Sequence, residues 1–318
     1  MAYVLLVLGF VFLIKGADYF VDGASKIAAF LNISPLLIGL TIVAFGTSSP
    51  EATVSILAAL NGQSGVTLGN VVGSNIFNIT IVVGVTAFLY PLKVENETIR
   101  KEIPFTLLAS VVLLIFISDT VLQGAAANVI TRGDGIVLLL FLVIFMYYIF
   151  EVASRSREET TEKAESPGRK AWSKYIIISV AGLAGIILGG ELVVRSSTSI
   201  ALSFGMSETL VGLTIVALGT SLPELVTSVT AAIKKQSEIA LGNVVGSNIF
   251  NILLVTGAAS VITPLSVDDR IFTDISLMIV LTVLLLIFSR TKFRIARSEG
   301  IVLVISYVLY LIYIILRN

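Results

Sequence analysis

The sequence predicts an all-α, polytopic membrane protein: ten transmembrane helices in two inverted five-helix repeats, with helices 2, 3, 7 and 8 broken. Three observations carry that reading. Apolar residues make up 56% of the 318 and charged residues 13%, about half the share of roughly 25% found in soluble domains. A water-facing surface cannot be covered with so few charges. Ten stretches approach the roughly 20 apolar residues that a bilayer-spanning helix needs. Finally, two long motifs recur at one fixed offset.

In order, the spans of the first half cover 2–29, 34–60, 66–90, 102–118 and 134–152. The first has no basic segment ahead of it and no A-x-A-like cleavage site, so it is expected to be retained rather than removed as a signal peptide. The second carries GTSSPE (Gly46–Glu51) and the third GNVVGSNIFN (Gly69–Asn78), while the fourth and fifth are plain apolar runs. Between the halves lies RSREETTEKAESPGRKAWSK (Arg155–Lys174), whose charge density and Pro167-Gly168 predict a flexible linker. The spans of the second half cover 174–203, 208–233, 239–264, 271–289 and 299–316. The expected organisation is therefore a first repeat over 1–153, a charged linker over 154–173 and a second repeat over 174–318.

Leu68–Ile79 is identical to Leu241–Ile252 at all twelve positions, and Leu37–Glu51 matches Leu210–Glu224 at twelve of fifteen. Both matches share one offset, so no net insertion separates them. Five spans is an odd number, which turns the second copy upside down in the bilayer. The turns test this independently: Asn61-Gly62-Gln63-Ser64 corresponds to Lys234-Lys235-Gln236-Ser237, uncharged in one copy and dibasic in the other. Alternate loops gather fifteen basic residues, from Lys93 to Arg297, against Arg132, Arg270 and Arg317 on the opposite side. The basic loops are expected in the cytoplasm, which puts the linker there and both termini outside. Inverted five-helix repeats point to a transporter with its site near the membrane midplane.

With no cysteine and no histidine, thiol nucleophiles, disulfides, Ser-His triads and imidazole metal ligands are excluded. A net charge of zero gives no sign of a nucleic-acid partner.

Glu51 and Glu224 sit mid-span, each with long apolar flanks. An intramembrane carboxylate is costly enough that function is the default expectation. Pro50 and Pro223 precede them and free backbone carbonyls near Gly46, Thr47, Gly219 and Thr220. Broken helix at this depth is tolerated where it lines protein or a wet cavity. Ser74 and Asn78, with Ser247 and Asn251 in the copy, lie four apart on one helical face. Asn75 and Asn248 fall off that face, where polar contact between helices is the competing reading. The converging ligands are thus carboxylates, hydroxyls, amide oxygens and carbonyls. That set suits a hard cation, above all Ca²⁺ with its six to eight oxygens. Asp18 and Glu191, near the ends of the first and sixth apolar stretches, read equally well as pathway or structural acids.

GTSSPE and GTSLPE, each followed by GNVVGSNIFN, resemble the two alpha-repeats of the sodium/calcium exchangers in the cation/Ca²⁺ antiporter superfamily, over essentially all ten spans. The resemblance implies that Glu51 and Glu224 bind Ca²⁺ with the backbone oxygens of Thr47 and Thr220. It implies Na⁺ sites using Ala44, Thr47, Ser48 and Ser74 on one side, and Ala217, Thr220, Ser221 and Ser247 on the other, with Glu51, Glu224, Asn78 and Asn251 at the centre. Some members carry aspartate where this chain has Asn251, so the centre here holds two carboxylates.

The function expected is antiport of Na⁺ against Ca²⁺ by alternating access, with H⁺/Ca²⁺ exchange as the runner-up. A cation channel fits less well, because channel rings come from symmetric subunits. An enzyme is not expected, since neither Ser/Thr–acid grouping has a third orienting group. The ions are cargo rather than cofactors, and the only other partner expected is the bilayer.

Overall fold

A computed structural model describes residues 2–159, 169–204 and 217–317. The helices follow the expected spans. Helix α1 covers Ala2–Leu31. The second span is a bent pair, α2 (Pro35–Thr47) and α3 (Ser49–Leu60), meeting at 48°. Helix α4 (Ser64–Leu89) contains a π-helical turn over Asn78–Val82. After strand β1 (Leu92–Lys93), another π turn (Thr98–Glu102) leads into α5 (Ile103–Phe116). A short α6 (Asp119–Gln123) and strand β2 (Val129–Ile130) precede α7 (Arg132–Glu159).

The second half opens with α8 (Arg169–Ser203), then α9 (Ala217–Gly219) and α10 (Leu222–Ile233). Helix α11 (Ser237–Ile262) carries a π turn over Phe250–Thr256. Strand β3 (Leu265–Ser266), α12 (Arg270–Arg290), β4 (Arg294–Ile295) and α13 (Arg297–Arg317) complete the chain.

Among the described residues seven helices are long and apolar enough to cross a membrane, eight with the bent pair. Helix α5 with the π turn ahead of it, and α9–α10, fall within the other two expected spans. Neither is long and apolar enough among the described residues to count as a crossing, so the ten expected are not all counted. Most of the first part of the seventh span, 208–216, lies outside the described residues. The helix is interrupted in spans 2 and 7, at Ser48 and Ser221, whose ψ angles of 3° and 7° leave the helical range. Spans 3 and 8, expected to be broken as well, run through as the continuous helices α4 and α11, because the backbone takes up the irregularity as a π turn rather than a break. Of the expected linker, both charged ends are helical, since α7 reaches Glu159 and α8 begins at Arg169. Residues 160–168 lie outside the described residues.

Two small antiparallel ladders join the halves. Leu92 pairs with Ile295 and Lys93 with Arg294; Val129 pairs with Ser266 and Ile130 with Leu265. Helices α4 and α11 are the inner pair, 78% buried along their apolar windows, whereas α7 and α13 are 17% buried. Their outward side chains, such as Tyr147, Phe150, Leu309 and Leu316, are 62–81% exposed. That apolar girdle belongs against lipid.

Helices α1 and α8 pack along a seam of glycines. A methyl group on Gly16 would sit 2.7 Å from the Gly182 carbonyl oxygen, and one on Gly189 2.6 Å from the Leu13 nitrogen. Only glycine allows backbones this close. Asp18 and Asp22 of α1 both bind Lys234 Nζ, at 2.6 and 2.7 Å, in the turn between α10 and α11. At the equivalent positions of the second half, Glu191 binds Arg195 one turn along its own helix at 2.6 Å. Both acids singled out in the sequence therefore have basic partners in ion pairs.

Candidate ion-binding site

The site forms where α2–α3 and α9–α10 break against α4 and α11. Pro50 and Pro223 stand in the first turns of α3 and α10, where a missing N–H costs nothing. The same first turns hold Glu51 and Glu224, each at most 1% exposed. Both carboxylates thus lie at helix N-termini, whose partial positive charge favours an anion.

The hydrogen bonds come in pairs that exchange the two repeats. Ser48 Oγ donates to Glu224 Oε1 at 2.9 Å, and Ser221 Oγ donates to Glu51 Oε1 at 2.9 Å. Thr47 Oγ1 donates to Asn243 Oδ1 at 3.0 Å, and Thr220 Oγ1 to Asn70 Oδ1 at 3.4 Å. Asn70 in turn donates to the Glu51 carbonyl and to Ser55 Oγ, as Asn243 does to the Glu224 carbonyl and Ser228 Oγ. Each break is therefore held by the opposite half of the chain. The hydroxyls at the rim depart from this symmetry. Ser74 Oγ lies 3.0 Å from Ser221 Oγ, whereas Ser247 Oγ donates to the Ala44 carbonyl at 3.5 Å.

Four buried oxygens in this cluster have no hydrogen-bond partner among the described residues: Glu51 Oε2, Glu224 Oε2, Asn78 Oδ1 and Asn251 Oδ1. An unmet buried polar atom costs about 1–3 kcal/mol, more when charged. Four of them, two from each repeat, are oxygens of the kind a hard cation accepts as ligands. A pocket of about 220 Å³ opens beside the break, lined by Phe45, Ser48, Ser49, Thr53, Phe250 and Leu254.

Of the residues expected from the sequence, Ala44, Thr47, Ser48, Glu51, Ser74, Asn78, Ser221, Glu224, Ser247 and Asn251 are all buried. Thr220 is half-buried, and Ala217 opens α9. The sequence reading missed Asn70, Asn243, Ser55 and Ser228. The signal was present: Asn70, Ser74 and Asn78 repeat every four residues, as do Asn243, Ser247 and Asn251, and the two serines follow the glutamates by four.

Residues 1–151 and 174–316 match the sodium/calcium exchanger protein family. The sodium/calcium exchanger MaX1 of Methanosarcina acetivorans is 36% identical, over 98% of this chain and 97% of its own length. The Ca²⁺/H⁺ antiporter ChaA of Bacillus subtilis is more distant, at 26% identity over 78% of this chain and 71% of its own. Among solved structures, the sodium-calcium exchanger NCX_Mj soaked with 2.5 mM Na⁺ and 1 mM Sr²⁺ superposes with a TM-score of 0.84. It is 30% identical and covers 97% of each chain. By family match and by full-length similarity, this chain belongs to the sodium/calcium exchanger protein family.

Proposed function

We propose that the chain is a secondary antiporter, exchanging Na⁺ for Ca²⁺ across the cell membrane by alternating access at the paired site. The four unpartnered oxygens of Glu51, Glu224, Asn78 and Asn251 carry this reading. Two carboxylates neutralise one divalent ion, and Ca²⁺ accepts both bidentate carboxylates and neutral oxygens. Ca²⁺ is bound by Glu51 and Glu224 with the backbone oxygens of Thr47 and Thr220. Na⁺ uses the same carboxylates with Ala44, Thr47, Ser48, Ser74 and Asn78, or with Ala217, Thr220, Ser221, Ser247 and Asn251. Because the sets overlap, Na⁺ and Ca²⁺ exclude one another, and that exclusion couples their fluxes.

In this reading 1–153 and 174–318 are the two inverted repeats, and α1 with α8 slides across the core of α2–α4 and α9–α11. The basic loops and the 154–173 linker face the cytoplasm, with both termini outside.

Uptake of radioactive Ca²⁺ into Na⁺-loaded vesicles at constant pH tests the proposal. Uptake should follow the outward Na⁺ gradient and vanish without it. The similarity to ChaA makes H⁺ the alternative coupling ion. Equal uptake driven by a pH gradient in Na⁺-free medium would replace Na⁺ with H⁺.

A further inference from the structure

Asn75 and Asn248 lie off the hydroxyl-bearing face of their helices, yet both are at most 1% exposed. Each meets the site amide of the other repeat. Asn251 Nδ2 donates to Asn75 Oδ1 at 3.2 Å, and Asn78 Nδ2 donates to Asn248 Oδ1 at 3.2 Å. Asn75 Nδ2 also donates to the Asn248 backbone carbonyl at 3.4 Å, which ties α4 to α11.

A primary amide has an acceptor end and a donor end, exchanged by half a turn of its last torsion. Only the oxygen end can ligate a cation, while the NH₂ end repels it. For Asn78 and Asn251 the NH₂ end is held by a partner, and the oxygen end is buried without one. We propose that Asn75 and Asn248 are positioning residues, each fixing the amide of the opposite repeat so that Asn251 and Asn78 present carbonyl oxygens to the transported cation. The clasp crosses between repeats, so neither half could set its own amide alone. This inference rests on the exchanger reading of the site.

The test is equilibrium binding of Ca²⁺ to the purified protein in detergent, with Na⁺ competition and gel filtration to establish folding. Loss of a group that orients a metal ligand typically weakens binding about 10- to 100-fold. Asn75→Leu should therefore raise the Ca²⁺ dissociation constant by that factor. The same substitution in an Asn251→Asp background should raise it less than twofold, because a carboxylate has two equivalent oxygens and needs no orienting partner. A purely structural role for Asn75 would cost the same in both backgrounds. Asn248→Leu, read with and without Asn78→Asp, repeats the cycle on the other side. If a leucine variant does not fold, serine at the same position takes its place. Equal losses in both backgrounds, or no loss in either, overturn the proposal. Failure of the unsubstituted protein to bind Ca²⁺ would instead reject the exchanger reading.

Discussion

Lys234→Gln should release α1 from the core on one side of the membrane. In the structure Lys234 Nζ reaches Asp18 Oδ1 at 2.6 Å, Asp22 Oδ1 at 2.7 Å and the Asp18 carbonyl at 2.8 Å. The Lys234 side chain is 24% exposed and the two aspartates 41% and 58%, so both pairs are screened. An exposed pair contributes about 0.2–1 kcal/mol. Two such pairs sum to about 1 kcal/mol, or roughly a fivefold change in an equilibrium constant. The equivalent turn of the first repeat holds Asn61, and Glu191, the second-half counterpart of Asp18, binds Arg195 on its own helix. Among the described residues the latch has no counterpart on the other side, and it should bias the protein toward the conformation that closes it. If α1 must leave the core during transport, Lys234→Gln should change the maximal Na⁺-driven Ca²⁺ uptake rate roughly fivefold or less. Lys234→Arg should behave as the parent, and the parent at about 0.5 M inert salt should approach the glutamine variant, since salt screens exposed pairs. Burial acts to lower the Lys234 pKa, but the two aspartates outweigh it and hold the value above that of an ordinary lysine. The lysine thus keeps its charge through neutral pH, and its contribution is lost only as alkaline pH rises past that elevated value. Identical rates for Lys234→Gln and the parent at low salt, or an arginine variant as altered as the glutamine one, would refute the latch. Lys235→Gln, on the exposed neighbour, is the control.

Glu51→Gln and Glu224→Gln should each abolish exchange in vesicle uptake while leaving the thermal midpoint unchanged or raised, because a neutral amide is cheaper to bury than a carboxylate. Gly16→Ala forces a methyl group to 2.7 Å from the Gly182 oxygen and should cost about 1–3 kcal/mol of stability, read by thermal unfolding in detergent. Arg317 binds Asp274 through both guanidinium ends at 3.0 Å, and the Asp274 side chain is 8% exposed. Arg317→Ala strands that carboxylate and should destabilise by about 3 kcal/mol or more, with Asp274→Asn restoring much of the loss.

Much of this was legible before any coordinates, because the bilayer imposes rules that sequence patterns obey directly. Ten apolar stretches, one offset and an odd number of spans per repeat led to the inverted architecture. Glu51 and Glu224 announced themselves by their cost. The reading stopped where the answer depends on which helices meet. Asn70 and Asn243 sit within the quoted motif, but their role depends on Thr220 and Thr47 of the opposite repeat. The π turns at Asn78–Val82 and Phe250–Thr256 contain no proline or glycine that would mark them in advance. Lys234 counted toward orientation by its charge alone, while its grip on Asp18 and Asp22 needed the third dimension.

The glycine seam between α1 and α8 carries one more consequence. Gly16 lies against Gly182 and Gly9 against Gly189, so one helix comes from each repeat and the two run in opposite directions. With backbone laid on backbone at these glycines, the two helices of the proposed motion would travel as a single slab rather than as parts of two halves. Moved along the membrane normal, such a slab uncovers one mouth by the same displacement that covers the other. A leak would require both mouths to open together, and sliding of a rigid slab along the membrane normal does not do that. The tightness of an exchanger would then reside in a strip of residues that have no side chains at all.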